Sequence, residues 1–263
     1  VFMVAGVMMV YLSASLPLYI SMPLMLILTV IIGFAIERAA YKPLRSAPRM
    51  SIMISAIGVS YLLQNLAAYI TGGLAQQYPV IPFISDSVNI GPATTKVVTL
   101  VTPFLVIALV FALVMLINHT KIGMAMRAVS KDYDTAQLMG IRINAVISAT
   151  FVIGSFLAAI GSVLYFTNYT AVTYTSGAMP GLKAFVAAVF GGIGSIPGAV
   201  IGAFIIGICE NIVKGLEAML GVVGININLG LAAFSDAVTF ALLIIILVVK
   251  PTGLFGEKAT EKV

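Results

Sequence analysis

Apolar stretches close to the length that a helix needs to cross a bilayer, roughly 20 residues for about 30 Å of hydrocarbon, recur along the whole chain. They run from about Val1 to Leu12, Leu18 to Ile36, Ser51 to Thr71, Val97 to Ile117 and Ile143 to Thr167, then through a broken stretch from Pro180 to Val213, and finally from Asn228 to Val249. In lipid every backbone polar group must be satisfied internally, which leaves helices and closed barrels. The alternation of apolar and polar residues that marks barrel strands is absent. The expected fold is all-α: a polytopic helical membrane protein of about six transmembrane helices plus a broken, re-entrant pair of half-helices, forming one transmembrane domain over 1–263.

Charge then orients the spans. Only 9% of the 263 residues are charged, against roughly 25% in soluble domains. Arg38, Lys42, Arg45 and Arg49 follow the second stretch, Lys121, Arg127, Lys131 and Arg142 follow the fourth, and Lys250, Lys258 and Lys262 follow the last. The positive-inside rule makes these three regions, and with them the C-terminus, cytoplasmic. The intervening segments hold only Lys96, Lys183 and Lys214. The net charge of +5 thus has a topological explanation, and nucleic acid is set aside as a partner. The one cysteine, Cys209, lies in an apolar run and reads as a buried thiol. Val1 opens inside an apolar run with no basic segment or cleavage site before it, so a helix or two is expected upstream.

Between Asn118 and Arg142 the chain turns polar: TKIGMAMRAVSKDYDTAQLMGIR. At helical period Met126, Val129, Tyr133, Ala136 and Gly140 share a stripe, with Arg127, Lys131 and Asp134 opposite. This predicts a short amphipathic helix lying along the membrane face, a place where a soluble partner could press on the two attached spans. Gly140 is the expected terminator.

The stretch from Pro180 to Val213 is interrupted by GGIGSIPG. Pro180 and Pro197 suit the first turns of two half-helices, with Ser195 or Ile196 as a cap. Unwound backbone at membrane depth must be buried or line a watery cavity, so Gly191, Gly192, Gly194 and Gly198 are candidates for the solute route. Close helix packing is the alternative reading for Gly194, Gly198 and Gly202, and for Gly154, Ala158 and Ser162. Gln64 and Asn65, with Ser60 and Tyr61 a turn earlier, are expected to face other helices or the route. Glu210 and Asp236 are expected near the outer ends of their helices, and His119 at a membrane boundary. No catalytic constellation, no metal-ligand cluster and no phosphate-binding glycine loop with its lysine is present in the sequence. ATP, if used, belongs to another subunit.

Together, IERAAYKPLRSAPR, ISAIGVSYLLQNLA, the polar island, GLKAFVAAVFGGIGSIPGAVIGAFIIGICE and KPTGLFG resemble the LivH-type permeases, membrane subunits of bacterial ABC importers for branched-chain amino acids. The likeness runs in order along nearly the whole chain. It implies a cytoplasmic loop that docks in a cleft of an ATPase subunit, whose Glu-Ala-Ala-x-x-x-Gly pattern falls on Asp134, Thr135, Ala136 and Gly140; only Ala136 and Gly140 match by identity. It further implies ABC ATPase subunits, a second permease chain, a periplasmic solute-binding protein and the bacterial inner membrane. It also implies a segment preceding the VFMVAG run. Urea and short amides are alternative solutes. The competing function is an ATP-independent transporter or channel. The lack of charge from Ser51 to Thr71, Val97 to Ile117 and Ile143 to Thr167 speaks against it.

Overall fold

The structure is a computed structural model. It describes every residue except 45–47, 83, 91–92, 193, 223–230, 251 and 257–263, and gives the backbone alone at 49, 89, 90, 93, 216–222 and 231–234. Arg45, Lys258 and Lys262, and the start of the last predicted span, lie outside the described residues. Among the described residues five helices are long and apolar enough to span a membrane: Leu18–Tyr41, Met50–Thr71, Val97–His119, Ile143–Asn168 and Ile196–Gly215. Shorter apolar helices cover Phe2–Ser15, Ala178–Gly191 and Ser235–Val249. The chain forms two compact units, Val1–Gly177 and Ala178–Val263.

In the first unit α1 (Phe2–Ser15) and α2 (Leu18–Ile36) pack on α7 (Ile143–Asn168). Without a hydrophobic drive between helices in lipid, close packing must hold them, and glycine permits it. A Cβ on Gly6 would run into the Phe166 ring, and one on Gly33 into Ser155. The buried line along α7 is Ser155, Ala159, Ser162 and Phe166. Of the small residues expected there, Ser162 belongs to it, whereas Gly154 is exposed and Ala158 half-buried: the contact face is rotated by one residue because Gly33 meets Ser155. Phe166 is fully buried and stacks with Tyr78 at 5.8 Å between ring centroids.

The helix α2 runs on into a π-helical turn, Glu37–Tyr41, where fully buried Glu37 accepts a hydrogen bond from Ser148 Oγ of α7 at 2.8 Å. The remaining spans, α3 (Arg49–Thr71) and α4 (Val97–His119), leave most of their apolar side chains exposed, Phe104 and Phe111 of α4 among them. Two short antiparallel pairs close the loops: β1 (Gln76–Gln77) with β4 (Ala171–Val172), Gln76 opposite Val172, and β2 (Ser87–Ile90) with β3 (Ala93–Lys96), Ser87 opposite Lys96. Lys96 donates to the carbonyls of Thr167 and Asn168 at 3.4 and 2.9 Å, a cation at a helix C-terminus where the dipole favours it.

The second unit contains α8 (Ala178–Gly191), α9 (Ile196–Val222) and α10 (Leu231–Val249). The broken stretch therefore consists of one short helix and one long one, since α9, at 27 residues, continues well past Val213. Nothing in the α9 sequence breaks it, because its inner glycines contact neighbours or open space without leaving helical geometry. Ser195 caps α9, its Oγ accepting from the Gly198 N–H at 3.2 Å. Lys183 lies inside α8. Glu210 lies within α9, five residues before the end of the span Ile196–Gly215. Both belong to an ion-paired group with Asp236 of α10. An opposite charge in reach lets a carboxylate stay within a helix that would otherwise exclude it.

Candidate functional site

The polar island folds as two helices, α5 (Lys121–Lys131) and α6 (Tyr133–Leu138), rather than one. The break has a local cause. Asp132 takes an extended backbone, φ −152° and ψ 111°, and its carboxylate accepts from the Thr135 N–H at 3.2 Å and from Thr135 Oγ1 at 2.9 Å. An Asp in that position satisfies an orphan donor of the new helix. The Asp-x-x-Thr spacing is readable in the sequence, and it is the signal that a single-helix reading passes over. At the other end of α5, Thr120 Oγ1 accepts from the Gly123 N–H at 3.1 Å while donating to Leu116 O at 2.6 Å. A Cβ at Gly123 would collide with the Ile117 backbone, so α5 is folded tightly against the end of α4.

Gly140 terminates α6 with φ +80°. The Ile141 N–H donates to Ala136 O at 3.1 Å and the Gly140 N–H to Gln137 O at 3.0 Å, the paired bonds of a Schellman cap. Ala136 is buried, and Met126 and Val129 are half-buried, as the stripe requires. Tyr133 and Gly140 of the same stripe are exposed, because the break at Asp132 turns α6 out of the phase of α5. Arg127, Lys131, Asp134 and Thr135 are exposed. Arg127 also donates to Asn118 O at 3.3 Å, tying α5 to the carbonyl end of α4. The sequence reading missed the tip: Leu138 is 87% and Met139 79% exposed, two large apolar side chains held outward by a rigid cap. Because α4 ends at His119 and α7 begins at Ile143, both spans attached to this unit leave the membrane on one side.

Among the described residues, Gln64 and Asn65 bond within their own helix. Gln64 Nε2 donates to Ser60 Oγ at 3.2 Å and Asn65 Nδ2 to Tyr61 O at 2.8 Å; each partner lies four residues earlier, the spacing that a helix places one turn away. Gln64 and Ser60 line a cavity of about 230 Å³ together with Tyr41, Leu63, Phe151 and Tyr174. Asn65 is exposed.

Gly191, Gly192, Gly198 and Gly202 of the broken stretch meet backbone. A Cβ on Gly198 would stand 2.5 Å from Gly191 O, and one on Gly202 2.6 Å from Ala187 O. Gly192, at φ +107°, lies against Gly253 and Gly256 of the C-terminal segment. There the N–H groups of Leu254 and Phe255 donate to Phe190 O and Gly191 O at 3.0 and 2.9 Å, capping the open carbonyls of α8. Gly194, at φ +102°, forms the turn, and a Cβ added there would meet nothing within 4 Å, so of the three spaced glycines Gly198 and Gly202 serve close approach. Among the described residues no group of three or more His, Cys, Asp and Glu could hold a metal ion.

Residues 1–247 match the family described as branched-chain amino acid transport system / permease component. The chain is similar to the high-affinity branched-chain amino acid transport system permease protein LivH of Salmonella typhimurium, 38% identical over 237 residues that cover 88% of this chain and 72% of that protein. It is 36% identical to BraD, a permease protein of the same description from Pseudomonas aeruginosa, over 90% of this chain and 74% of the relative. It is 26% identical to a probable LivH of Methanocaldococcus jannaschii, again over 90% and 74%. No solved structure matches. The chain therefore belongs to the branched-chain amino acid transport system permease component family, as a multi-pass membrane subunit of a transporter and not an enzyme.

Proposed function

We propose that this permease works in an ATP-driven importer of branched-chain amino acids in the bacterial inner membrane, and that α5 and α6 are its contact with the ATPase subunit. The observation that carries this reading is the tip of α6. Leu138 and Met139 stand almost wholly exposed on a six-residue helix fixed at one end by the Asp132 cap and at the other by Gly140. Large apolar side chains in full contact with water mark a surface meant to be covered. The flanking Arg127, Lys131 and Asp134 supply polar contacts at the rim.

In this mechanism a solute-binding protein delivers the amino acid on one face while nucleotide closes the ATPase dimer on the other. Pressure on α5 and α6 passes to α4 and α7 without slack, because Gly123 lies directly on Ile117 and Ala136 is buried at the base. The attached spans then alternate between two orientations, each stabilised by the partner that prefers it. A second permease chain completes the pathway. The basic residues Lys121, Arg127, Lys131 and Arg142 put this end in the cytoplasm, and Lys250 does the same for the C-terminal end.

Two measurements test the reading. Purified with its ATPase subunits, the permease carrying Leu138→Asp and Met139→Asp should lose them while remaining folded. A single cysteine at position 138, in a chain with Cys209→Ser, should be labelled by impermeant maleimide only in inverted vesicles. Labelling in intact cells would overturn the proposal.

A further inference from the structure

Four charges from three helices of the second unit meet at one place. Lys183 Nζ of α8 stands 2.8 Å from Glu210 Oε1 of α9 and 2.7 Å from Asp236 Oδ1 of α10, and Lys214 Nζ stands 2.5 Å from the same Glu210 oxygen. Glu210 lies within the span Ile196–Gly215, five residues before its end. Ionisable groups on a spanning helix are costly, and they face protein or a watery cavity rather than lipid. Their side-chain exposures of 25% for Lys183, 14% for Glu210, 42% for Lys214 and 32% for Asp236 leave the group half open. A sealed ion pair would suffice to fasten helices. A half-open quartet of alternating sign, with its charges balanced among the described residues, has room to exchange partners.

One turn along each helix from these charges lies an apolar cluster, partly open at Phe240. Val186 of α8 and Ile206 of α9 are buried in a common cluster, and Phe240 of α10 packs against it. Opposed charges bordered by aliphatic and aromatic side chains match the chemistry of one solute class, a zwitterion with an apolar side chain.

We propose that Lys183, Glu210, Lys214 and Asp236 form a transit site for the charged ends of an α-amino acid, its ammonium taken by Glu210 and Asp236 and its carboxylate by Lys183 and Lys214. This rests on the importer reading above. Insertion of the zwitterion opens the Lys183 to Asp236 pair and forms two new pairs of the same kind, so the solute sheds water without leaving any charge unpaired. Zero net charge favours a zwitterion over an amine or a 2-oxo acid, each of which would leave one charge in the group unmatched.

The test uses the assembled importer in proteoliposomes, with ATPase subunits and solute-binding protein. Glu210→Gln and Asp236→Asn keep side-chain shape, and each should lower ATP-dependent leucine uptake at least tenfold while ATP hydrolysis stimulated by the loaded binding protein persists. Lys183→Arg, which preserves the pairs, should retain most uptake. The fourfold neutral variant, Lys183→Met with Glu210→Gln, Lys214→Met and Asp236→Asn, removes the desolvation cost as well as the attraction. It should assemble and hydrolyse ATP yet fail to transport. Leucine uptake at the unsubstituted rate by that variant, or by Glu210→Gln, would overturn the site and leave the quartet as a helix fastener. Failure of the unsubstituted importer to take up leucine with ATP would overturn the importer reading, and the site with it.

Discussion

Gly191 and Gly198 lie backbone to backbone, so that a Cβ on either would enter the carbonyl of the other. The end of α8 and the start of α9 are thereby pressed together with no side chain between them. The same junction receives the C-terminal segment, whose Leu254 and Phe255 N–H groups close the last carbonyls of α8. Two neighbouring helix ends and a segment about sixty residues further along converge where helix ends would otherwise leave polar backbone unsatisfied.

Replacement of Gly198 by Leu should consequently act on folding before it acts on transport. Overpacking costs about 1–3 kcal/mol where neighbours can yield, and here the neighbour is backbone. The expected result is a lowered thermal midpoint in detergent and reduced yield of the second unit in limited proteolysis. Gly194→Ala, in open space but at φ +102°, should be milder, near the 1–2 kcal/mol of a left-handed residue with a side chain.

Asp132 controls whether α6 exists as a separate helix. Asp132→Ala removes the cap and should cost about 1 kcal/mol locally, read as faster amide exchange from Thr135 to Leu138. Asp132→Asn can still accept the Thr135 N–H and should restore protection. If Ala and Asn behave alike, the cap is not what holds the break.

Gly140→Val should separate docking from folding. With φ +80° and nothing within 4 Å of the added Cβ, the penalty is backbone strain alone, and a β-branched residue adopts that geometry poorly. The expected outcome is a folded permease that retains its ATPase subunits weakly in pull-down. Gly140→Asn, which tolerates the left-handed region, should keep them.

The membrane class and most spans were legible because apolar length is a direct requirement of the bilayer, and the turn at Gly140 because so few residues end a helix that way. What escaped the sequence depended either on side chains acting locally on the backbone or on partners distant along the chain. Periodicity located Met126, Val129 and Ala136 but could not register the phase change imposed by Asp132, a side chain acting on the backbone three residues ahead. Gln64 and Asn65 look like interhelical donors in isolation, yet each has an acceptor one turn back on its own helix. Lys183, Glu210 and Asp236 are separated by dozens of residues, and only the packing of α8, α9 and α10 makes them one group. The buried line of α7 missed by one residue because Gly33 selects Ser155, a choice made on another helix.

Tyr78 offers a stability test independent of transport. Its side chain is buried against Phe166, and among the described residues its hydroxyl has no hydrogen-bond partner. Burial also pushes the phenol well above its ordinary pKa, because the charged phenolate would lose its water, so the group stays neutral at every pH at which the protein is handled. A buried hydroxyl without a partner forfeits about 1–3 kcal/mol of hydration, whereas the ring keeps its stacking and its area. Tyr78→Phe should therefore leave the thermal midpoint unchanged or raise it, with uptake unaffected. Tyr78→Ala, which empties the space beside Phe166, should lower stability by about 3–5 kcal/mol. A clear loss of stability in Tyr78→Phe would mean that the hydroxyl is held by a group outside the described residues or by an ordered water.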